Sequence, residues 1–270
     1  MERMRVQCAV SVSKGSDDKE KGSRIIGKLL PAAVRLWLRS QVEQVGELSI
    51  ELAGRDRQII SGYIPGVSIA ADEAVYQGLH VSQVVLSAED IRINIGQVLR
   101  GKPLKLLKSF LVSGGVTLSD EGLTASLNSA LLTNGLRDFW RSLLQHPGVA
   151  QAVEARYGLL PLREDVVLSR PDIRLGDGCL GLSFYPALQD EIGTQPIVFG
   201  ADIAVESGHF LKLTQPRWLA TLSELENPVK GIGVDSLDNF CWDLGRDTQL
   251  SELVLTRSQL LCKGQVMVIP

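Results

Sequence analysis

Residues that usually announce chemistry are scarce in this sequence. Histidine occurs only at His80, His146 and His209, each isolated. No G-x-S-x-G, P-loop or H-E-x-x-H run is present, so no nucleophile elbow, phosphate cradle or zinc helix is spelled out. Cys8, Cys179, Cys241 and Cys262 have no metal-like spacing and are too scattered to define disulfides, so they read as free thiols of a reducing compartment. Asp17-Asp18 and Glu89-Asp90 are adjacent acids in polar turns, a poor arrangement for an acid/base pair. Aromatics are only 5% of a chain that is 44% hydrophobic, so aliphatic side chains must fill the core. A net charge of −3 argues against a general nucleic-acid binder. A non-enzymatic protein with no metal or cofactor is expected.

What the sequence does have begins with an apolar segment, Arg24 to Gln44. Ile26, Leu29, Leu30, Ala33, Trp37 and Val42 recur there at helical spacing. Lys28, Arg35 and Arg39 add a narrow basic stripe. Its length suits a membrane span, but three cations and Pro31 count against spanning. Such a helix must be wrapped by protein or pressed on lipid. Residues 1–23 precede it as an expected disordered tail, whose polar KGSDDKEKGS fits neither a signal nor a transit peptide. The expected organisation is this tail, then one domain over 24–270, in the cytoplasm.

Alternating strands follow. Leu48, Ile50 and Leu52 alternate with polar or small residues; Val67 to Ala70, Leu79 to Ser87 and Val112 to Leu118 read the same way. Gly62 to Gly66, with Pro65, is expected to turn. A helix is expected where Leu132, Leu136, Phe139, Trp140 and Leu143 share one face, with a stop at His146-Pro147-Gly148. GDGCLG at Gly176 to Gly181 matches a dinucleotide fingerprint, but LSFYP after it is strand-like, so a hairpin is expected instead. Along Ile197 to Val205 the residues Ile197, Phe199, Ala201, Ile203 and Val205 share a face. That face is expected to point at the Trp37 helix or at a groove beside it. VTLSDEGLTASL at Val116 and LKLTQPRWLATL at Leu211, with LVLTRSQLL at Leu253, suggest a repeated strand-then-short-helix unit.

Charge is unevenly spread. From Ile91 to Ser119 there are five cations (Arg92, Arg100, Lys102, Lys105, Lys108) and no acid. From Glu224 to Glu252 seven acids stand against Lys230 and Arg246. In the basic run Arg100, Lys102, Lys105 and Lys108 interleave with Leu104 and Leu107, a composition suited to the boundary between headgroups and acyl chains of an anionic membrane surface.

The stretch Glu51 to Leu107, with SGYIPGV, YQGLH, IRIN and RGKPL in that order, resembles the bacterial LmeA-like phospholipid-binding family. The resemblance implies a non-enzymatic phospholipid binder with a fold similar to the tubular lipid-binding proteins, in which a curved antiparallel sheet wraps a long helix around an apolar groove. Taken together, the expectation is an α+β protein, peripheral to a membrane, holding acyl chains of a phospholipid or similar amphiphile. Trp37, Ile197, Phe199, Ile203, Leu104 and Leu107 are the candidate lining, and the four cations are the candidate headgroup contacts. The alternative is an interaction scaffold with a filled core.

Overall fold

The computed structural model describes residues 42–270 except 99, 101, 103, 163, 189, 190 and 228. The tail over 1–23, Trp37 and nearly all of the expected first helix lie outside the described residues. Its expected end is corrected: Val42 and Glu43 form a bend, and Gln44 already opens a strand.

Among the described residues the strands are β1 (Gln44–Ala53), β2 (Tyr63–Tyr76), β3 (Leu79–Arg92), β4 (Phe110–Ser119), β5 (Val167–Leu175), β6 (Cys179–Leu188), β7 (Glu191–Ile192), β8 (Ile197–Glu206), β9 (Phe210–Trp218), β10 (Ile232–Gly233), β11 (Cys241–Asp243), β12 (Thr248–Leu255) and β13 (Gln259–Val268). They form a six-stranded sheet ordered β1-β2-β3-β4-β13-β12 and a seven-stranded sheet ordered β10-β9-β8-β6-β5, with β11 on β9 and β7 on β6. The pairings within the six-stranded sheet are all antiparallel. The chain lays down β1–β4, builds the second sheet, then returns β12–β13 to complete the first. The architecture is mostly antiparallel sheet with a few short helices.

Local chemistry explains the connections. Gln77-Gly78 and Ser207-Gly208 both have positive φ, the requirement of a two-residue hairpin turn, and join β2 to β3 and β8 to β9. Asp177-Gly178 joins β5 to β6, so GDGCLG is a hairpin as expected. Ser119 caps the short helix Asp120–Ala125, its Oγ accepting from the Gly122 N–H at 3.0 Å. Ser129 caps Ala130–Leu144 in the same manner. The buried Ser126 hydroxyl accepts from the His80 N–H at 2.7 Å and donates to the Gly122 carbonyl, pinning the short helix to β3.

Three local expectations are corrected. Pro65 and Gly66 do not turn the chain; both lie inside β2. Proline is tolerated there because β1 pairs only as far as Gly66, and because Gly54 leaves room for its ring: a Cβ on Gly54 would stand 2.7 Å from Pro65 Cδ. Pro147 does not only stop a helix. It is an early residue of a second one, Pro147–Tyr157, where its missing N–H costs nothing. The strand-then-helix unit occurs once, at Ser119. Its second copy runs on as β9 through Thr214, and its third is the β12–β13 hairpin.

The main core lies between the two sheets and the helices Ala130–Leu144 and Pro147–Tyr157. Trp140, Leu143, Val149, Val153, Phe184 and Ile197 are all at most 1% exposed. Trp140 meets Phe184 edge-on at 5.0 Å, and Trp218 meets Phe199 at 5.4 Å. Leu118 of β4 and Leu255 of β12 belong to the same cluster, so one core ties both sheets together. A second cluster sits at the far end of the six-stranded sheet, where Ile64, Ala88, Ile91, Ile93 and Ile95 gather Leu104, Leu106 and Phe110.

Candidate functional site: an apolar sheet face and a basic edge

Side chains along a strand alternate between faces, so pairing register determines which residues meet on each face of a sheet. In the six-stranded sheet the register aligns three consecutive rows on one face. The first is Leu52, Val67, Ala88, Val112, Val266 and Thr248. The second is Ile50, Ile69, Leu86, Gly114, Gly264 and Leu250. The third is Leu48, Ala71, Val84, Val116, Cys262 and Leu253. Thr248 is the only polar residue in these rows, and none carries a charge.

The reverse face is the opposite in character. There Glu51, Ser68, Ser87, Ser113, Gln265 and Gln249 form one row, and Ser49, Ala70, Val85, Gly115, Lys263 and Glu252 the next. Lys263 pairs with Glu252 at 2.7 Å. A hollow of about 640 Å³ lies on this polar face between β3 and β12, lined by residues such as Gln83, Thr117 and Lys263. Val85, Leu261, Gly114, Gly115 and Gly264 line it as well, so its lining is mixed.

The two clusters claim only the ends of the apolar face. Leu52, Val67, Ala88 and Val112 of the first row join the far cluster, and Val116 and Leu253 of the third row join the main core. No residue of the middle row belongs to a hydrophobic cluster of the described residues. At its centre Gly114 pairs with Gly264, leaving two adjacent positions without side chains. A Cβ on Gly114 would run into the Val85 carbonyl oxygen and Leu86 Cα, and one on Gly264 into the Gln249 carbonyl oxygen and Leu250 Cα. The neighbouring strands' backbones come too close there for any residue but glycine. Burial pushes the neighbouring, half-buried Cys262 thiol above its usual range.

β12 achieves this register with an irregularity. Leu250 opposes Gly264 and Glu252 opposes Lys263, so Ser251 is an extra residue accommodated as a bulge.

The basic run is held by its backbone and presents its charges outward. The buried Asn94 accepts from the Lys105 N–H at 2.6 Å through its side chain, and its own N–H donates to the Lys105 carbonyl. Lys102 N–H donates to the Gln97 carbonyl and Leu107 N–H to the Arg92 carbonyl. Arg100, Lys102, Lys105 and Lys108 are all exposed. Glu89 and Asp90 are the nearest acids in sequence on β3; Asp90 accepts from the Tyr63 hydroxyl at 2.6 Å.

The expected lining residues are not brought to one place. Ile197 and Phe199 sit in the main core at 0% and 3% exposure, with Ile203 partly buried against it. Leu104 belongs to the far cluster, and Leu107 is 63% exposed. Trp37 lies outside the described residues. The reverse side of β8 is covered too, since Val198 packs with Leu219 and Leu225. Sequence reading missed the apolar face. Its signal was present as period-two alternation in Val67-Ile69-Ala71, Val84-Leu86-Ala88 and Val112-Val116, but alternation alone does not reveal that these strands are neighbours.

The geometry defines a class: a predominantly antiparallel protein with a one-sided apolar sheet face beside a basic edge. The LmeA-like phospholipid-binding family matches residues 21–265, nearly the whole chain, and the protein belongs to that family. Comparison with curated proteins finds no match, and comparison with solved structures finds none. Among the described residues no helix is long and apolar enough to cross a membrane.

Proposed function

We propose that this protein binds phospholipid without chemical turnover, laying acyl chains on the apolar face of the six-stranded sheet. The observation that carries the reading is the three-row register, with family membership beside it. Six strands at about 4.8 Å spacing give the face a span of roughly 24 Å. One leaflet of hydrocarbon is about 15 Å thick, so an extended chain fits along a row. Each methylene removed from water contributes about 0.8 kcal/mol, which is enough for a dry face to hold a lipid without a specific polar contact. In this reading the sheet face takes over the role that sequence assigned to Ile197, Phe199 and Ile203. Trp37 keeps its sequence-based assignment as a lipid contact.

Native mass spectrometry of the purified full chain tests the proposal. Adducts with phospholipid masses are the expected result. A clean ligand-free mass from lipid-rich expression membranes would favour the scaffold with a filled core.

The same reading places the protein at the periphery of an anionic membrane, with Arg100, Lys102, Lys105 and Lys108 toward the headgroups. Each cation near such a surface is worth about 1 kcal/mol. Lys102→Glu, Lys105→Glu and Lys108→Glu together should weaken co-sedimentation with anionic vesicles at least tenfold and leave the thermal midpoint unchanged. Rising salt should weaken the wild type likewise. Undiminished co-sedimentation by the triple variant would remove this edge from the reading.

A further inference from the structure

Thirteen large apolar side chains are exposed among the described residues, and five of them lie at one end of the six-stranded sheet. Leu107 is 63% exposed, Ile269 59%, Val266 45%, Leu111 41% and Met267 39%. Register brings them together from separate parts of the chain: Leu111 pairs with Met267, and Val112 with Val266. Leu107 is next to last in the basic run, whose final residue Lys108 leads with Ser109 into β4. Ile269 follows the last residue of β13.

This end is also basic. The exposed cations Arg92, Lys105 and Lys108 are tied to it, since Leu107 N–H donates to the Arg92 carbonyl, Asn94 N–H to the Lys105 carbonyl and Lys108 lies two residues before β4. Arg100 and Lys102 precede them in the chain, and the acids Glu89 and Asp90 precede Arg92 on β3. Asp247 accepts the Met267 N–H through its backbone carbonyl, so it sits beside Arg246 at the margin of the patch. Apolar tips beside exposed cations match the layering of an anionic bilayer, where phosphates lie outside and acyl chains inside. Val266 belongs also to the first row of the apolar face, while Leu111 and Met267, one position along, point to the reverse face, so the patch spans both faces of this end.

We infer that the sheet end formed by Leu107, Leu111, Val266, Met267 and Ile269 inserts into the surface of an anionic phospholipid bilayer, while the surrounding cations bind headgroups. The inference rests on the lipid-binding reading for its purpose: an end seated at the acyl boundary meets the face along which a lipid would lie. Insertion itself is a separate physical event and is tested separately.

The experiment uses the full chain and vesicles of phosphatidylglycerol and phosphatidylcholine. In one arm, Ile269→Trp places an indole at the chain end. Its emission should shift to the blue on adding vesicles and be quenched by lipids brominated on the acyl chains. In the other arm, Leu107→Asn, Leu111→Asn and Met267→Asn are combined, removing apolar tips without changing charge. At salt high enough to screen the lysines, vesicle partitioning of this variant should fall about tenfold or more below the wild type. Its native mass spectrum should keep the lipid adducts.

No quenching of the introduced indole, together with undiminished partitioning of the triple variant, overturns the inference even if lipid adducts are present. Insertion by a protein that carries no adducts upholds the inference and fails the acyl-binding reading instead. A wild-type dimer that the triple variant dissociates, without quenching by vesicles, would assign the patch to a second copy of the chain and also overturn it.

Discussion

Trp140→Ala should lower the folding free energy by about 3–5 kcal/mol, the usual cost of emptying a large buried aromatic site. Trp140 is 1% exposed and packs edge-on against Phe184 at 5.0 Å and Trp218 at 6.4 Å. Its indole N–H donates to the Pro161 carbonyl at 3.2 Å, which holds the segment after the second helix against the core. The substitution thus leaves a cavity and an unpaired acceptor together. Trp140→Phe should cost less, since most of the volume stays and one hydrogen bond of about 1 kcal/mol is lost. Urea titration of the three proteins reads both values. A loss below about 1 kcal/mol for the alanine variant would show that the cavity collapses, contrary to a core closed from both sheets.

Leu86→Glu should reduce bound phospholipid by about a hundredfold, because a carboxylate placed among acyl chains costs about 3 kcal/mol. Leu86 is in the middle row of the apolar face and belongs to none of the hydrophobic clusters of the described residues. The neighbouring residue supplies the control. Val85 is 52% exposed on the polar face, so Val85→Glu should leave lipid content unchanged. The two substitutions differ by one position in sequence and by the whole sheet in space. Lipid phosphorus per mole of protein and thermal midpoints decide between outcomes. Equal lipid loss in both variants would refute a site confined to one face. A fall of many degrees for Leu86→Glu without any lipid in the wild type would mean that the middle row is ordinary core.

Much of the local structure was legible. The helical face through Leu132, Leu136, Phe139, Trp140 and Leu143 is the observed one, because period 3.6 is written in consecutive residues and Ser129 supplies the cap. The β5–β6 turn was legible for the same reason. Strand facing was legible too: Ile197, Phe199 and Ala201 do share a buried side. The neighbours of each strand were not. Gly114 meets Gly264 only because the last hairpin returns to the first sheet, and no periodicity within either strand records that meeting. Pro65 misled because proline usually punctuates; here its tolerance depends on where β1 stops and on the absence of a side chain at Gly54. The candidate lining failed to converge for a related reason. Apolar residues were chosen by facing alone, and facing does not distinguish a filled interior from an open surface.

The bulge in β12 separates two properties that most strands encode together. Leave Ser251 out of the sequence, and Leu250, Leu253 and Leu255 fall at every second position, on the side they occupy now. The extra residue therefore does nothing to choose which side chains lie on the apolar face; it adds local twist to the sheet margin. Curvature is written in the length of the strand and chemistry in its letters. Deleting Ser251 alters the bend, a substitution at the leucines alters the surface, and each edit leaves the other property in place.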